Sequence, residues 1–304
     1  MCKIVVVGSL NMDLVLQIDR MPCMGETIHG KNFAGIPGGK GANQAVAAAR
    51  LGASVSMIGC VGKDPFGFEL VDNLKKNDVD TKQIKILEDS TTGLAMIFVK
   101  EADNCIILNS GANYKMTPEY VERLESVIAQ ADVFVTQLEI PLSTVKAALS
   151  IAKRHSLTTI LNPAPAQKLE DSIYENVDII VPNESETELL TGIAVDNEVN
   201  IERATRFFHE KGILDCIITM GARGVVWSGE KGITTCPAYK VKAVDSTAAG
   251  DSFVGALALQ MAQKRPLAES IHFCNAVGAL TVTQKGAQIS LPTINEVTAF
   301  LAQM

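Results

Sequence analysis

Short apolar runs alternate with amphipathic stretches along almost the whole chain. The first run, Lys3-Ile4-Val5-Val6-Val7-Gly8, is β-branched and uninterrupted. Such a run fits a strand covered on both faces, as in the middle of a parallel sheet. Similar runs predict strands over residues 54–60, 132–136, 158–161, 179–181 and 216–219, and a strand-like segment over 239–244. Helices are expected near 45–51, 66–76, 118–130, 142–154, 184–191, 201–211, 255–263 and 270–282. Strands alternating with helices in this way indicate an α/β fold with a doubly wound, mostly parallel sheet flanked by helices. Two stretches break the alternation. Residues 14–36 are irregular or strand-like, punctuated by Pro22 and Gly25, and too long for a plain connection. Residues 91–109 read as a hairpin turning at 101–104. Together they predict a small β-sheet lid inserted in a single domain of residues 1–304. An uncovered apolar face on such a sheet points to a homodimer formed through the lid.

Composition narrows the picture. The chain has 304 residues, 47% of them hydrophobic and 20% charged, which is ordinary for a globular α/β domain. A net charge of -7 argues against non-specific binding to nucleic acid or to anionic membranes. The seven cysteines are scattered without a C-x-x-C pair, and the four histidines show no ligand spacing. Neither a disulfide framework nor a structural metal is expected. Met1-Cys2-Lys3 runs directly into strand pattern and no apolar run reaches spanning length, so a cytoplasmic protein is expected.

Polar residues gather where the sheet rule places ligands, beyond the carboxyl ends of the strands. Asn11 and Asp13 follow the first strand, two residues apart, and so share one side of an extended segment. Their donors and acceptors suit sugar hydroxyls. Glu139, Asn162, Asn183 with Glu184 and Glu186, and Thr219-Met220-Gly221-Ala222-Arg223-Gly224 follow later strands. Gly38-Gly39-Lys40-Gly41-Ala42-Asn43-Gln44 precedes a helix of small residues. It is neither a P-loop nor a dinucleotide fingerprint, yet its glycines allow close backbone approach to a ligand. Asp245-Ser246-Thr247-Ala248-Ala249-Gly250-Asp251 leads into another helix. Free amides and the positive dipole end at a helix start near Ala249 suit a phosphate. Asp251 beside them is either a helix cap or a base that takes a proton from an attacking hydroxyl. Glu186 is open between a water-mediated metal contact and a solvated helix position.

These motifs, with Asn162-Pro163-Ala164-Pro165-Ala166, Pro182-Asn183-Glu184 and Lys285-Gly286-Ala287-Gln288, are together similar to the PfkB family of carbohydrate kinases, and within it to the ribokinase branch. The resemblance spans almost the whole chain. It implies transfer of the γ-phosphoryl group of ATP to the 5-hydroxyl of D-ribose, with Mg2+ and a monovalent cation, K+, as cofactors. By motif, Asn11, Met12, Asp13, Gly38, Gly39, Lys40, Gly41, Asn43 and Glu139 would line the sugar site. Asn183, Thr219, Met220, Gly221, Ala222, Arg223, Gly224, Gly250 and Asn275 would hold ATP, with Glu186 in the outer shell of magnesium. Ala249 and Gly250 would form the anion hole, and Asp251 would be the general base. Asp245, Thr247, Thr281, Gln284, Gly286 and Ser290 match the monovalent-cation site, the two threonines and Gln284 through backbone oxygens. Met12, where a smaller residue is also common, would tighten the sugar pocket. Asn11 favours ribose over 2-deoxyribose, since a buried amide built for a 2-hydroxyl is left unpaired by the deoxy sugar. The alternatives are a 2-deoxyribose, pentose or nucleoside kinase of the same family, or a sugar sensor without turnover.

Overall fold

A computed structural model describes residues 2–100 and 103–304. The strands in chain order are β1 (Lys3–Val7), β2 (Asn11–Gln17), β3 (Lys31–Gly38), β4 (Ser54–Gly62), β5 (Val79–Leu87), β6 (Gly93–Lys100), β7 (Asp103–Asn109), β8 (Val133–Thr136), β9 (Thr158–Leu161), β10 (Ile179–Ile180), β11 (Asp215–Thr219), β12 (Val225–Gly229) and β13 (Gly232–Cys236). The helices are α1 (Lys40–Arg50), α2 (Pro65–Lys76), α3 (Pro118–Glu122), α4 (Glu125–Ile128), α5 (Leu142–Arg154), α6 (Asp171–Tyr174), α7 (Glu184–Thr191), α8 (Glu198–Glu210), α9 (Ala249–Ala262), α10 (Leu267–Thr281) and α11 (Ile294–Leu301).

Nine strands form the main sheet in the order β13-β12-β11-β10-β9-β8-β1-β4-β5. All neighbours are parallel except β11–β12 and β12–β13. The apolar run of β1 has the predicted reason: Ile4 and Val6 enter one core cluster, with α1, α9 and α10, while Val5 and Val7 enter the other, with α5. Burying each such side chain stabilises the fold by about 1.5–3 kcal/mol. The lid is a second sheet of order β3-β2-β6-β7. It starts and ends slightly outside the expected limits, at Asn11 and Gly38. The expected hairpin turn falls partly on residues 101 and 102, which lie outside the described residues.

Some elements differ from expectation. The first helix begins at Lys40 rather than residue 45, so the glycine-rich motif is itself the first turn of α1. The helix expected over 118–130 is two short ones: Leu124 leaves helical geometry (φ −99°, ψ 11°) and packs on the second core cluster. Residues 239–244 form no strand. Their only ladder-like bond runs from Val244 N–H to the Val282 carbonyl at the end of α10. The edge strands β5 and β13, and β12 beside β13, carry polar residues or glycines that break up their apolar runs. No helix among the described residues is long and apolar enough to cross a membrane.

Candidate active site

The site is built where α1 and α9 meet. The two helices approach closely because Gly255 has no side chain; a Cβ there would lie 2.6 Å from Ala47 Cβ and 2.7 Å from the Gln44 carbonyl. The start of α1 is equally tight against the turn after β1. Gly39 takes φ 88°, a left-handed conformation that favours glycine, and a Cβ on Gly41 would strike Ser9 N at 2.6 Å. This packing aims Asn43 and Gln44 at the first turn of α9. Asn43 Nδ2 donates to Asp251 Oδ2 at 2.8 Å, and Gln44 Nε2 donates to Asp251 Oδ1 at 3.0 Å. Asp251 is only 7% exposed, yet it lines a cavity of about 190 Å³ with Lys40, Asn162, Asn183, Glu186 and Gly250. Gln44 also donates to Asn162 Oδ1 at 3.1 Å and accepts from Gln137 Nε2 at 2.6 Å. Asp251 is therefore no helix cap: its carboxylate is held by two side-chain amides from another helix. Among the described residues Asn43 Oδ1 is buried and without a partner, which leaves it free to accept from a ligand hydroxyl.

Ala248 at the head of α9 is left-handed (φ 60°). The Ala249 N–H donates to the Ser246 carbonyl at 3.2 Å. Among the described residues, the Gly250 and Asp251 N–H groups have no acceptor. The free amides thus fall one residue later than the Ala249–Gly250 pair expected from sequence, because Ser246 closes a turn on Ala249.

Asn11 and Asp13 do share a face of β2, as alternation requires. Asn11 pairs in register with Gly93, and Asp13 with Ala95. Met12 lies on the opposite face and is buried in the core, so its side chain does not tighten the pocket. Glu139, after β8, ties the turns together: its Oε2 accepts from Ser9 Oγ, from Lys40 N–H at 3.2 Å and from Asn11 Nδ2 at 3.4 Å. Gly38 leaves room for Asp13, whose Oδ2 a Cβ would meet at 2.2 Å. Asp13 is pushed up to about 7, first by burial, then by Glu139 and Asp251, with Lys40 opposing. Burial alone would lower Lys40, but Asp251, Glu139, Glu186 and Asp13 outweigh it and raise the ammonium above its ordinary value. Lys40 therefore stays a charged ammonium in the midst of these four carboxylates.

A larger groove of about 870 Å³ adjoins the first cavity. Asn183, Thr219 and Gly250 line both, so the two compartments meet at the head of α9. Glu184, Gly221 and Arg223 line the groove as well. Arg223 pairs with Glu184 and donates to the Val195 carbonyl at 3.1 Å. The turn is closed by Met220 N–H donating to the Gly224 carbonyl at 2.8 Å; Met220 is buried and Ala222 exposed. Asn183 and Glu186 form a reciprocal capping box at the start of α7. The Asn183 N–H donates to Glu186 Oε2 at 2.8 Å, and the Glu186 N–H donates back to Asn183 Oδ1 at 2.8 Å. Glu186 is thus half spent on its own helix rather than solvated, and burial raises its carboxyl above the ordinary range.

A carboxylate fixed in one cavity, next to the Gly250 that lines both and beside unpaired amides at a helix start, is equipped to pass a group between two ligands. Residues 1–294 match the pfkB family of carbohydrate kinases. The chain belongs to this family. A ribokinase of Haemophilus influenzae is 43% identical over 297 residues, covering 97% of each chain. A deoxyribokinase of Salmonella typhi is 37% identical over 301 residues, 98% of each. The structure of Arabidopsis thaliana ribokinase complexed with ribose and ATP superposes with a TM-score of 0.93 at 29% identity, over 99% of both chains.

In this carbohydrate kinase the cation residues expected from sequence fall on the loop before α9 and on the end of α10 with the segment after it, and the two are tied together. Asp245 Oδ1 accepts from Thr247 N–H at 2.9 Å and Thr247 Oγ1 at 2.7 Å, and its Oδ2 accepts from Gly286 N–H at 2.9 Å. Burial alone would raise Asp245, but these bonds win and hold it below the usual range. Thr281 uses its hydroxyl on the Val277 carbonyl, and its own carbonyl accepts from Gln284 N–H at 3.3 Å. Ser290 donates to the Ala287 carbonyl at 2.8 Å. Asn275 is buried with its amide on the Cys236 sulfur at 3.2 Å and the Pro237 carbonyl at 3.3 Å. Sequence reasoning missed Gln137 and Asn113, both buried amides. Neither sits in a glycine-rich motif or at a helix start, so only its hydrogen bonds mark it.

Proposed function

We propose that this pfkB family member transfers the γ-phosphoryl group of ATP to the 5-hydroxyl of D-ribose, giving D-ribose 5-phosphate and ADP. The observation that carries the reading is Asp251, fixed through both oxygens by Asn43 and Gln44 in the smaller cavity, next to Gly250, which lines the larger groove as well. The sugar lies between the lid strand β2 and the start of α1. Asn11, Asp13, Asn43 and Glu139 bind its hydroxyls, with the backbone of Gly38, Gly39 and Gly41 close against it. ATP lies along the groove, its phosphates approaching Asn183 and Gly250 and its base end bounded by Thr219–Gly224 and Asn275. Asp251 takes the proton of the 5-hydroxyl as its oxygen bonds to the γ-phosphorus and the bond to the β-phosphate breaks. The Gly250 and Asp251 amides and Lys40 offset the charge on the transferring oxygens. Closure of the lid excludes water and suppresses hydrolysis of ATP.

The residues fit both implied ions. Among the described residues no cluster of three or more acidic, His or Cys side chains is arranged for a metal. Magnesium would be held chiefly by phosphates and water, with Glu186 in its outer shell. The oxygen-rich loops at Asp245, Thr247, Thr281, Gln284, Gly286 and Ser290 would hold a monovalent cation such as K+, whose charge steadies the neighbouring anion hole. A 2-deoxyribose kinase is the second reading, supported by the Salmonella relative; the buried amide of Asn11 favours ribose. A sensor without turnover has no use for Asp251 and the free amides. The test is a panel of sugars with ATP, scored for ADP release and for the position of the phosphate. D-ribose phosphorylated at the 5-position with the highest kcat/KM is expected; a preference for another sugar, or no turnover with any, contradicts the reading.

A further inference from the structure

Asn113 lies on the turn after β7, only 1% exposed, and its amide is locked by a single backbone residue. The Leu10 N–H donates to Asn113 Oδ1 at 3.0 Å, and Asn113 Nδ2 donates to the Leu10 carbonyl at 3.1 Å. A peptide N–H only donates and a carbonyl only accepts, so these two bonds allow one orientation of the Asn113 amide. Its second N–H then points at Asn11 and donates to Asn11 Oδ1 at 2.7 Å. That consumes the acceptor side of Asn11 and turns its NH2 the other way, toward Glu139 Oε2 at 3.4 Å. The orientation of Asn11 is therefore relayed from the backbone through Asn113. Gly93 seals the pair, since a Cβ there would lie 2.3 Å from both Asn11 Oδ1 and Asn113 Nδ2. All three polar residues, Asn11, Asn113 and Glu139, border one small cavity at the base of the lid.

We propose that Asn113 is a specificity-determining positioning residue: through its bond to Asn11 Oδ1 it makes Asn11 present a donor to the sugar, and so sets the preference for a sugar with a hydroxyl oxygen at that point. The inference rests on the reading of Asn11 as a ligand of the ribose 2-hydroxyl. One N–H of Asn11 goes to Glu139, and the other meets the hydroxyl oxygen. A 2-deoxy sugar leaves that buried donor unpaired, which is costly.

The isosteric change Asn113→Asp tests this. One carboxylate oxygen still accepts from Leu10 N–H, while the other faces the Leu10 carbonyl and Asn11 Oδ1, both acceptors. Asn11 relieves the conflict by flipping, and then turns an oxygen toward the sugar and Glu139. The readout is the ratio of kcat/KM for D-ribose to that for 2-deoxyribose, which does not depend on how much of the enzyme is folded. The ratio is expected to fall about 10–100-fold, almost entirely through ribose. Asn113→Ser, which leaves Asn11 free to turn, is expected to lower it less. In an Asn11→Leu background Asn113→Asp is expected to change the ratio by less than about twofold, because the residue acts through Asn11. A ratio unchanged by both single substitutions, or an undiminished effect in the Asn11→Leu background, overturns the proposal. Calorimetric titration with the two sugars measures the same preference without turnover. Absence of turnover in the unsubstituted protein therefore contradicts the kinase reading, while the binding ratio still decides the role of Asn113.

Discussion

At the scale of single residues, the site is a set of amides used as fixed adaptors. Asn43 and Gln44 hold Asp251, and Asn113 holds Asn11. Asn11, Asp13, Asn43, Glu139 and Asp251 stood out in the sequence as candidates because they sit in short motifs at strand ends or helix starts. The adaptors were less so: Gln44 lies inside such a motif, but Asn113 and Gln137 are isolated polar residues whose meaning comes only from their partners. Met12 shows the opposite error, a residue read as part of the pocket because it lies between two ligands, although strand alternation turns it away. Asp13 gives a prediction at this scale. Its pKa is raised from the ordinary 3.8 to about 7 in the folded protein, so the folded state holds the proton more tightly than the unfolded chain. Stability is then lost as pH rises from about 4 through about 7, by at most about 4 kcal/mol. Asp13→Asn removes this penalty. In the absence of sugar its melting temperature is expected to exceed that of the unsubstituted protein at pH 8, with the gap shrinking toward pH 5. Equal melting temperatures at both pH values would contradict the assignment.

At the scale of elements, the doubly wound sheet was readable because β1, β8, β9 and β11 are covered on both faces over most of their length and carry consecutive apolar residues there. The true start of α1 was not, since three glycines within four residues look like a loop until close packing on the β1 turn gives them a reason. The head of α9 invites a direct test. A Cβ on Gly250 meets no atom of the chain. Gly250→Ala is thus expected to change stability by less than about 1 kcal/mol. It is expected to lower kcat about 10–100-fold, because the added methyl group occupies ligand space next to a free amide. Calorimetric unfolding and steady-state kinetics on the same preparation check both halves. The loops joined by Asp245 and Gly286 carry a second prediction. Activity in potassium-only buffer should exceed that in sodium-only buffer several-fold, and Asp245→Asn should abolish the difference. Equal rates in the two salts would remove the cation from the account.

At the scale of the whole molecule, the lid sheet is the part least able to stand alone. Met96 and Ile107, partners across β6 and β7, form an apolar cluster on the face of it turned away from Asn11 and Asp13, 45% and 53% exposed. A cluster of this kind is a contact surface in want of a partner, and a second lid is the occupant we propose. Ile107→Glu is expected to shift sedimentation from dimer to monomer; a wild-type monomer at micromolar concentration contradicts the idea. The helices α1 and α9 converge on one carboxylate, and the most direct test addresses it. Asp251→Asn keeps the shape of the side chain and removes its capacity to take the proton. With D-ribose and ATP saturating, kcat should fall by about 10²–10⁴-fold, while the variant, whose new NH2 faces one of the two amide donors, melts lower but still folds. Turnover within a few-fold of the unsubstituted enzyme, in a folded variant, would contradict the account.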